Sequence, residues 1–175
     1  VFIESEDENS TGDMDYYYCP SGGEGKKLEL GSDVSGSFSW DMAIGTNGNL
    51  FLELTGNGIL EINPADSSVV HEYEKGKHTD YMGVTSEYLI VIADGDVRYY
   101  DIASGKPAEG GDALTEQLKK TPSNLEFGNS SGTSLMFMDG DEEGTLFYAD
   151  STGLYRYAFG GNVIEQVIDG SLNSI

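Results

Sequence analysis

The residues best suited to chemistry in this chain are carboxylates, and their densest run is Asp139-Gly140-Asp141-Glu142-Glu143-Gly144. Calcium takes about six to eight oxygen ligands, so alternating acids on a turn could supply part of a cage. An EF-hand loop needs a further acidic or amide position before its glycine and a distant glutamate. This run lacks that position and reads as an exposed acidic turn between two strands. Asp94-Gly95-Asp96 is turn chemistry by the same argument. His71 and His78 are the only histidines. Separated by Lys75-Gly76-Lys77, they read as one strand residue and one loop residue rather than a joint metal pair. No G-x-S-x-G signature accompanies them to form a Ser/His/Asp nucleophile. With 31 acids in the chain, any choice of a glycosidase carboxylate pair would be arbitrary. Lys26-Lys27 is too short for a basic patch. Asn9-Ser10-Thr11 and Asn129-Ser130-Ser131 match glycosylation sequons, which matter in a eukaryotic secretory setting.

The charge balance narrows the partners. Nine bases against 31 acids give a net charge of −22 over 175 residues. Such a surface repels nucleic acid and anionic lipid headgroups. It favours solubility, and what it would attract is a cation or a basic partner. Cys19 is the single cysteine, so an internal disulfide or a cysteine zinc cluster is excluded. Within YYYC it reads as a small buried apolar residue. No apolar run reaches the length of a membrane-spanning helix. The sequence begins at Val1 without a signal-like segment, the expectation for a domain excised from something longer.

The elements that position these residues are short strands. Gly is abundant at 24, Pro scarce at 4, and Tyr is the commonest aromatic at 11. Gly144 to Ile168 (GTLFYADSTGLYRYAFGGNVIEQVI) supplies the template: apolar runs at Leu146–Ala149, Leu154–Phe159 and Val163–Ile168, separated by turn clusters. Ile164, Val167 and Ile168 also fit helical spacing, which leaves the last run ambiguous. Comparable hairpins begin at Tyr16, Ile59 and Val97, so the starts are 43, 38 and 57 residues apart. Leu50–Leu54, Leu89–Ile92 and Leu146–Ala149 precede three of them, across turns such as Thr55-Gly56-Asn57-Gly58. Trp40–Ile44, Tyr81–Val84 and Leu135–Met138 come before those. Four strands per unit at about 40 to 45 residues is the period of a propeller blade. The long interval holds a short helix at 112–120, capped by Asp112, with Lys119 and Lys120 at its end and Thr121-Pro122 to stop it. Lys106-Pro107-Ala108-Glu109-Gly110-Gly111 has little strand character. In the first unit, Val1-Phe2-Ile3 reads as a second strand and Glu4–Asp13 as an acidic loop. Its missing strand reflects truncation, or a ring completed by Ser171–Ile175. Half of the tyrosines in Tyr16-Tyr17-Tyr18, Tyr99-Tyr100 and Tyr155/Tyr157 should pack between sheets.

These units resemble blades of PQQ-repeat, quinoprotein-like or Kelch-like β-propellers. YYDIASGK at Tyr99–Lys106 resembles a strand-turn-strand consensus with an aromatic, Asp, two small residues and a Ser/Thr-Gly-Lys turn. EINPADSSVV at Glu61–Val70 and YRYAFGGNVI at Tyr155–Ile164 are looser copies. One tryptophan, Trp40, stands where quinoprotein dehydrogenases have one in every blade, so quinone binding and dehydrogenase activity are not implied. The Gly-, Tyr- and acid-rich blades and the ending VIDGSLNSI are also similar to propeller regions in surface lipoproteins of Gram-positive gut bacteria. In some of those a solute-binding domain of a sugar-type transporter follows the propeller.

The expected fold is therefore all-β: a β-propeller of about four blades, or part of a larger ring, with one short helical insert. It is read as a single domain over 1–175, with blades at approximately 1–31, 32–76, 77–128 and 129–175. The expected function is a non-catalytic extracellular binding or scaffolding region at a bacterial cell surface, with no metal or cofactor. Its partners would be a downstream solute-binding domain, another propeller half or carbohydrate, with no nucleic acid and no membrane insertion. The alternatives are a propeller lyase or hydrolase using channel carboxylates, and a protein-interaction platform. In propellers the turns between second and third strands share one face with the loops leading into each blade. That fold analogy selects Asn57, His78, Asp80, Asp94, Asp96 and Asp150 as candidate ligand-binding residues.

Overall fold

The computed structural model describes residues 2–6, 14–31, 34, 39–79, 81–93, 96–110, 112, 115–116, 136–138, 145–150, 153–158 and 163–169. The fold is all-β, with antiparallel sheets throughout and described helical residues at Asp112, Thr115 and Glu116. The chain divides into two compact units, Val1–His78 and Thr79–Ile175.

In the first unit, β1 (Phe2–Glu6), β2 (Met14–Tyr18) and β3 (Lys26–Lys27) form a three-stranded sheet. Glu4, Ser5 and Glu6, expected in a loop, pair with Tyr16, Asp15 and Met14. Pairing along an aromatic-rich neighbour overrides their weak strand propensity. The second sheet runs in chain order through β4 (Ser39–Ile44), β5 (Leu50–Leu54), β6 (Gly58–Ile62) and β7 (Val69–Tyr73). Its central strands are buried along their whole length, which is why LFLEL and GILEI read as near-continuous apolar runs rather than alternating ones. One face carries Leu50, Leu52, Leu54, Leu60 and Ile62, and it packs with Tyr16 and Leu28 of the first sheet's segment.

In the second unit, β8 (Tyr81–Val84), β9 (Tyr88–Ala93), β10 (Asp96–Asp101) and β11 (Lys106–Ala108) form one sheet. β12 (Met136–Met138), β13 (Thr145–Asp150), β14 (Gly153–Ala158) and β15 (Ile164–Asp169) form the other. β15 is a strand, so the helical spacing of its apolar residues is overridden by pairing with β14, from Tyr157 opposite Ile164 to Gly153 opposite Asp169. Ile90, Ile92, Val97 and Tyr99 share one face and bury together with Tyr157. Tyr16, Tyr99 and Tyr157 are at most 2 % exposed, and Tyr18 and Tyr155 pack against the same clusters. The alternate tyrosines are core residues, as strand periodicity requires.

The turn consensus has a hydrogen-bonded basis. Asp101 Oδ1 accepts from the Ser104 amide at 2.8 Å and hydroxyl at 2.5 Å, while the Gly105 amide donates to the Asp101 carbonyl. In the β6–β7 turn, the Ser67 amide donates to the Asn63 carbonyl in the same way, and Ser67 takes the positive φ of Gly105.

Two glycines mark equivalent points. Gly58 and Gly153 each open the third strand of a sheet, and a Cβ at either would overlap a carbonyl oxygen of the fourth strand: Tyr73 and Ile168 respectively. Asp96 holds the corresponding place in β10. There the fourth strand ends with Ala108 opposite Tyr99, so β11 does not reach Asp96. Lys106–Ala108 does form a strand, but a short one. The rung it fails to supply is made by Thr115, whose hydroxyl accepts from the Val97 amide at 2.9 Å and donates to the Val97 carbonyl at 3.5 Å. Thr115 thus completes the sheet edge that the short strand leaves open.

Gly58→Ala is expected to cost about 3 kcal/mol or more in urea unfolding, since it adds a backbone clash to the left-handed φ of +81°. Gly56→Ala, also at positive φ but with open space around it, should cost about 1 kcal/mol. Equal losses would contradict the close approach. Thr115→Val keeps shape and removes the hydroxyl; a loss of about 1–2 kcal/mol is expected, with Thr115→Ser near wild type. An unchanged midpoint in the valine variant would show that the rung contributes nothing.

Candidate functional site

Two features of the first unit could carry function, and they lie on opposite faces of the β4–β7 sheet. The first is a buried carboxylate. Glu61 sits mid-β6, opposite Phe51 of β5 and His71 of β7. Its side chain is 1 % exposed. Oε1 accepts from Asn47 Nδ2 at 2.9 Å and Asn49 Nδ2 at 2.6 Å. Oε2 accepts from the Tyr73 hydroxyl at 2.8 Å and lies 2.8 Å from His71 Nδ1. Asn47 and Asn49 reach it because the β4–β5 turn is closed by the Gly45 amide on the Asn49 carbonyl at 2.9 Å. His71 and Tyr73 reach it because alternate residues of β7 share a face.

Burial pushes the Glu61 carboxyl up, but its donors (Asn49 first, then His71, Tyr73 and Asn47) together outweigh that and hold it below the ordinary value of 4.5. An ionised Glu61 can only accept, so His71 Nδ1 carries the proton between them. This is a carboxylate-oriented imidazole of the kind general bases use. Here, however, both carboxylate oxygens are saturated by four donors, three of them not imidazole. Such a carboxylate ties the β4–β5 turn to β7.

The second feature is a cleft of about 210 Å³. Leu54, Leu60 and Val69 floor it, with Val34 at one side. Asn57, Glu72 and Lys75 form its polar rim, and Lys75 Nζ lies 2.6 Å from Glu72 Oε2. Its described lining holds no aromatic ring, so it suits an aliphatic group better than the face of a sugar.

Of the residues selected from the sequence, Asn57 is exposed in the β5–β6 turn and lines this cleft. His78 is exposed at the end of the first unit, and the Gly58 amide donates to the Lys77 carbonyl at 3.1 Å. That bond brings Asn57 and His78 to one end of the sheet. Asp96 opens β10 and pairs with Arg98 at 3.5 Å. Asp150 ends β13, opposite Gly153. Asp80 and Asp94 lie outside the described residues, as do Asp139–Gly144 and both sequons. Among the described residues no three His, Cys, Asp or Glu side chains group as metal ligands would. No described helix is long and apolar enough to cross a membrane. Sequence reasoning noted His71 and passed over Glu61, Tyr73, Asn47 and Asn49. The i, i+2 spacing of Asn47/Asn49 and His71/Tyr73 was the available signal.

Glu61→Gln puts an amide among donors, and a loss of about 3 kcal/mol at neutral pH is expected. The carboxyl is held below 4.5 in the fold, so its stabilisation is full above that value and fades as pH falls through the folded one. The gap between wild type and variant should therefore narrow in acid unfolding measurements. A gap constant with pH would contradict an ionised anchor.

No family model matches the chain, and no curated protein matches it. Solved structures do. PorZ, an essential bacterial surface component of the type-IX secretion system of Porphyromonas gingivalis, is similar over 94 % of this chain and 20 % of its own, at 15 % identity and a TM-score of 0.55. The AfRom2 CNH domain is similar over 94 % of this chain and 55 % of its own, at 10 % identity and a TM-score of 0.50. The extracellular domain of the hybrid two-component system BT3049 from B. thetaiotaomicron gives 14 % identity and a TM-score of 0.47 over 94 % of this chain and 24 % of that one. The chain thus spans between a fifth and about half of these proteins. At such identities the likeness is one of fold alone.

Proposed function

We propose that this chain is a propeller-type segment that binds or scaffolds at a bacterial surface and carries no catalysis. The observation that carries the reading is the repeated four-stranded meander, in which two buried carboxylates are held by structural partners. Glu61 has its oxygens filled by Asn47, Asn49, His71 and Tyr73. Glu74, also buried, holds Lys77 at 2.8 Å. What remains open is a small cleft with an aliphatic floor, which is binding architecture.

The sheets support a propeller by their chain-order topology and by the spacing of their third strands, with four blades as the reading and a larger ring as its extension. PorZ is described as a surface component, and a similar location for this chain agrees with its charge of −22. A solute-binding partner domain and a carbohydrate ligand remain part of the proposal through the resemblance to lipoprotein propellers. Tyr17 and Tyr100 are among the half-buried rings on which a sugar could stack.

The test is an amide NMR titration of the labelled chain with a panel of oligosaccharides and short basic peptides, followed by mass analysis of each recovered probe. Saturable shifts with probes returned intact are expected. Probes returned cleaved, with the conversion lost in His71→Ala, would overturn the non-catalytic reading, and a panel producing no shifts would overturn binding.

A further inference from the structure

We infer that the free edge of β7 and the cleft beside it form a docking groove for an extended peptide bearing an aliphatic side chain between basic residues. β7 is the last strand of its sheet and pairs with β6 alone among the described strands. Val69 and Val70 are 43 % and 42 % exposed, unusual for adjacent large apolar residues. An exposed strand edge offers a row of backbone donors and acceptors that another extended chain can complete. In such strand addition the main chain supplies affinity, and pockets for alternate side chains supply selection.

The pocket is present. Val69 belongs both to the edge and to the cleft, whose floor continues through Leu54 and Leu60. A volume of about 210 Å³ admits one leucine- or methionine-sized side chain and excludes a folded domain. Charge decides the flanks. Glu72 stands at the rim with Lys75 as its partner, and the chain as a whole carries −22, so lysine or arginine beside the anchor is attracted and acidic residues are repelled. The same charge opposes a second copy of this chain on that edge. β15 also exposes Val167 and Ile168, but neither lines this cleft.

This deepens the binding-module reading and rests on it, so the experiment separates the two. The probe is a short capped peptide of alternating lysine and valine with a central leucine. Its binding should slow amide exchange at Val69–Glu72, and replacing its leucine by alanine should weaken it about tenfold or more. Val69→Trp fills the cleft mouth from an exposed position and should weaken binding by a similar factor. Val163→Trp, at the 72 % exposed residue before β15, should leave it unchanged. Circular dichroism confirms that both variants fold. No binding, binding indifferent to Val69→Trp, protection appearing on β15, or a mass doubling through β7 would each overturn the groove while leaving the binding module standing. Cleavage of the peptide would overturn the binding module itself.

Discussion

A four-stranded sheet with one apolar face gains little stability until something covers that face. In the second unit the cover is Tyr157. It is wholly buried with Ile90, Ile92, Val97 and Tyr99, and its hydroxyl donates to the Gly110 carbonyl. Burying a side chain of this size contributes roughly 2–3 kcal/mol, and the hydroxyl bond fixes where the ring sits. Tyr16 holds the matching role in the first unit, against the leucines of β5 and β6. Burial also pushes the Tyr157 hydroxyl above its ordinary pKa.

From that burial the remaining constraints follow. Sheets held face to face fix the path of the fourth strand, which then passes so close to the third that only glycine fits at Gly58 and Gly153. The fourth strand is also where each sheet meets solvent, and the three copies meet it differently. β7 exposes two valines beside a cleft, β11 is cut short and completed by Thr115, and β15 is exposed over most of its length. The variation lies at the edge, where function can be added without disturbing the core.

Much of this was legible in the sequence. The third strands expected from Tyr16, Ile59, Val97 and Leu154 are β2, β6, β10 and β14, because glycine and asparagine turns bracket runs too short for helices. The tyrosine alternation was legible for the same reason. Glu61 was not, since its partners lie 10 to 14 residues away and meet it only once strand register is set. The bond from Thr115 to Val97 spans 18 residues and compensates for a strand whose shortness the sequence did suggest. Asn57 was reached by fold analogy, whereas the cleft beside it depends on Val34 and Val69 arriving from distant parts of the chain.

Within each unit, the sheet faces meet through these aromatic rings. Nuclear Overhauser contacts from the Tyr157 ring to the methyls of Ile90 and Ile92, and from the Tyr16 ring to those of Leu50 and Leu52, measure that directly. Strong contacts in both sets are predicted. Rings that contact only their own strands' neighbours, or that flip and exchange as solvent-exposed groups do, would contradict it.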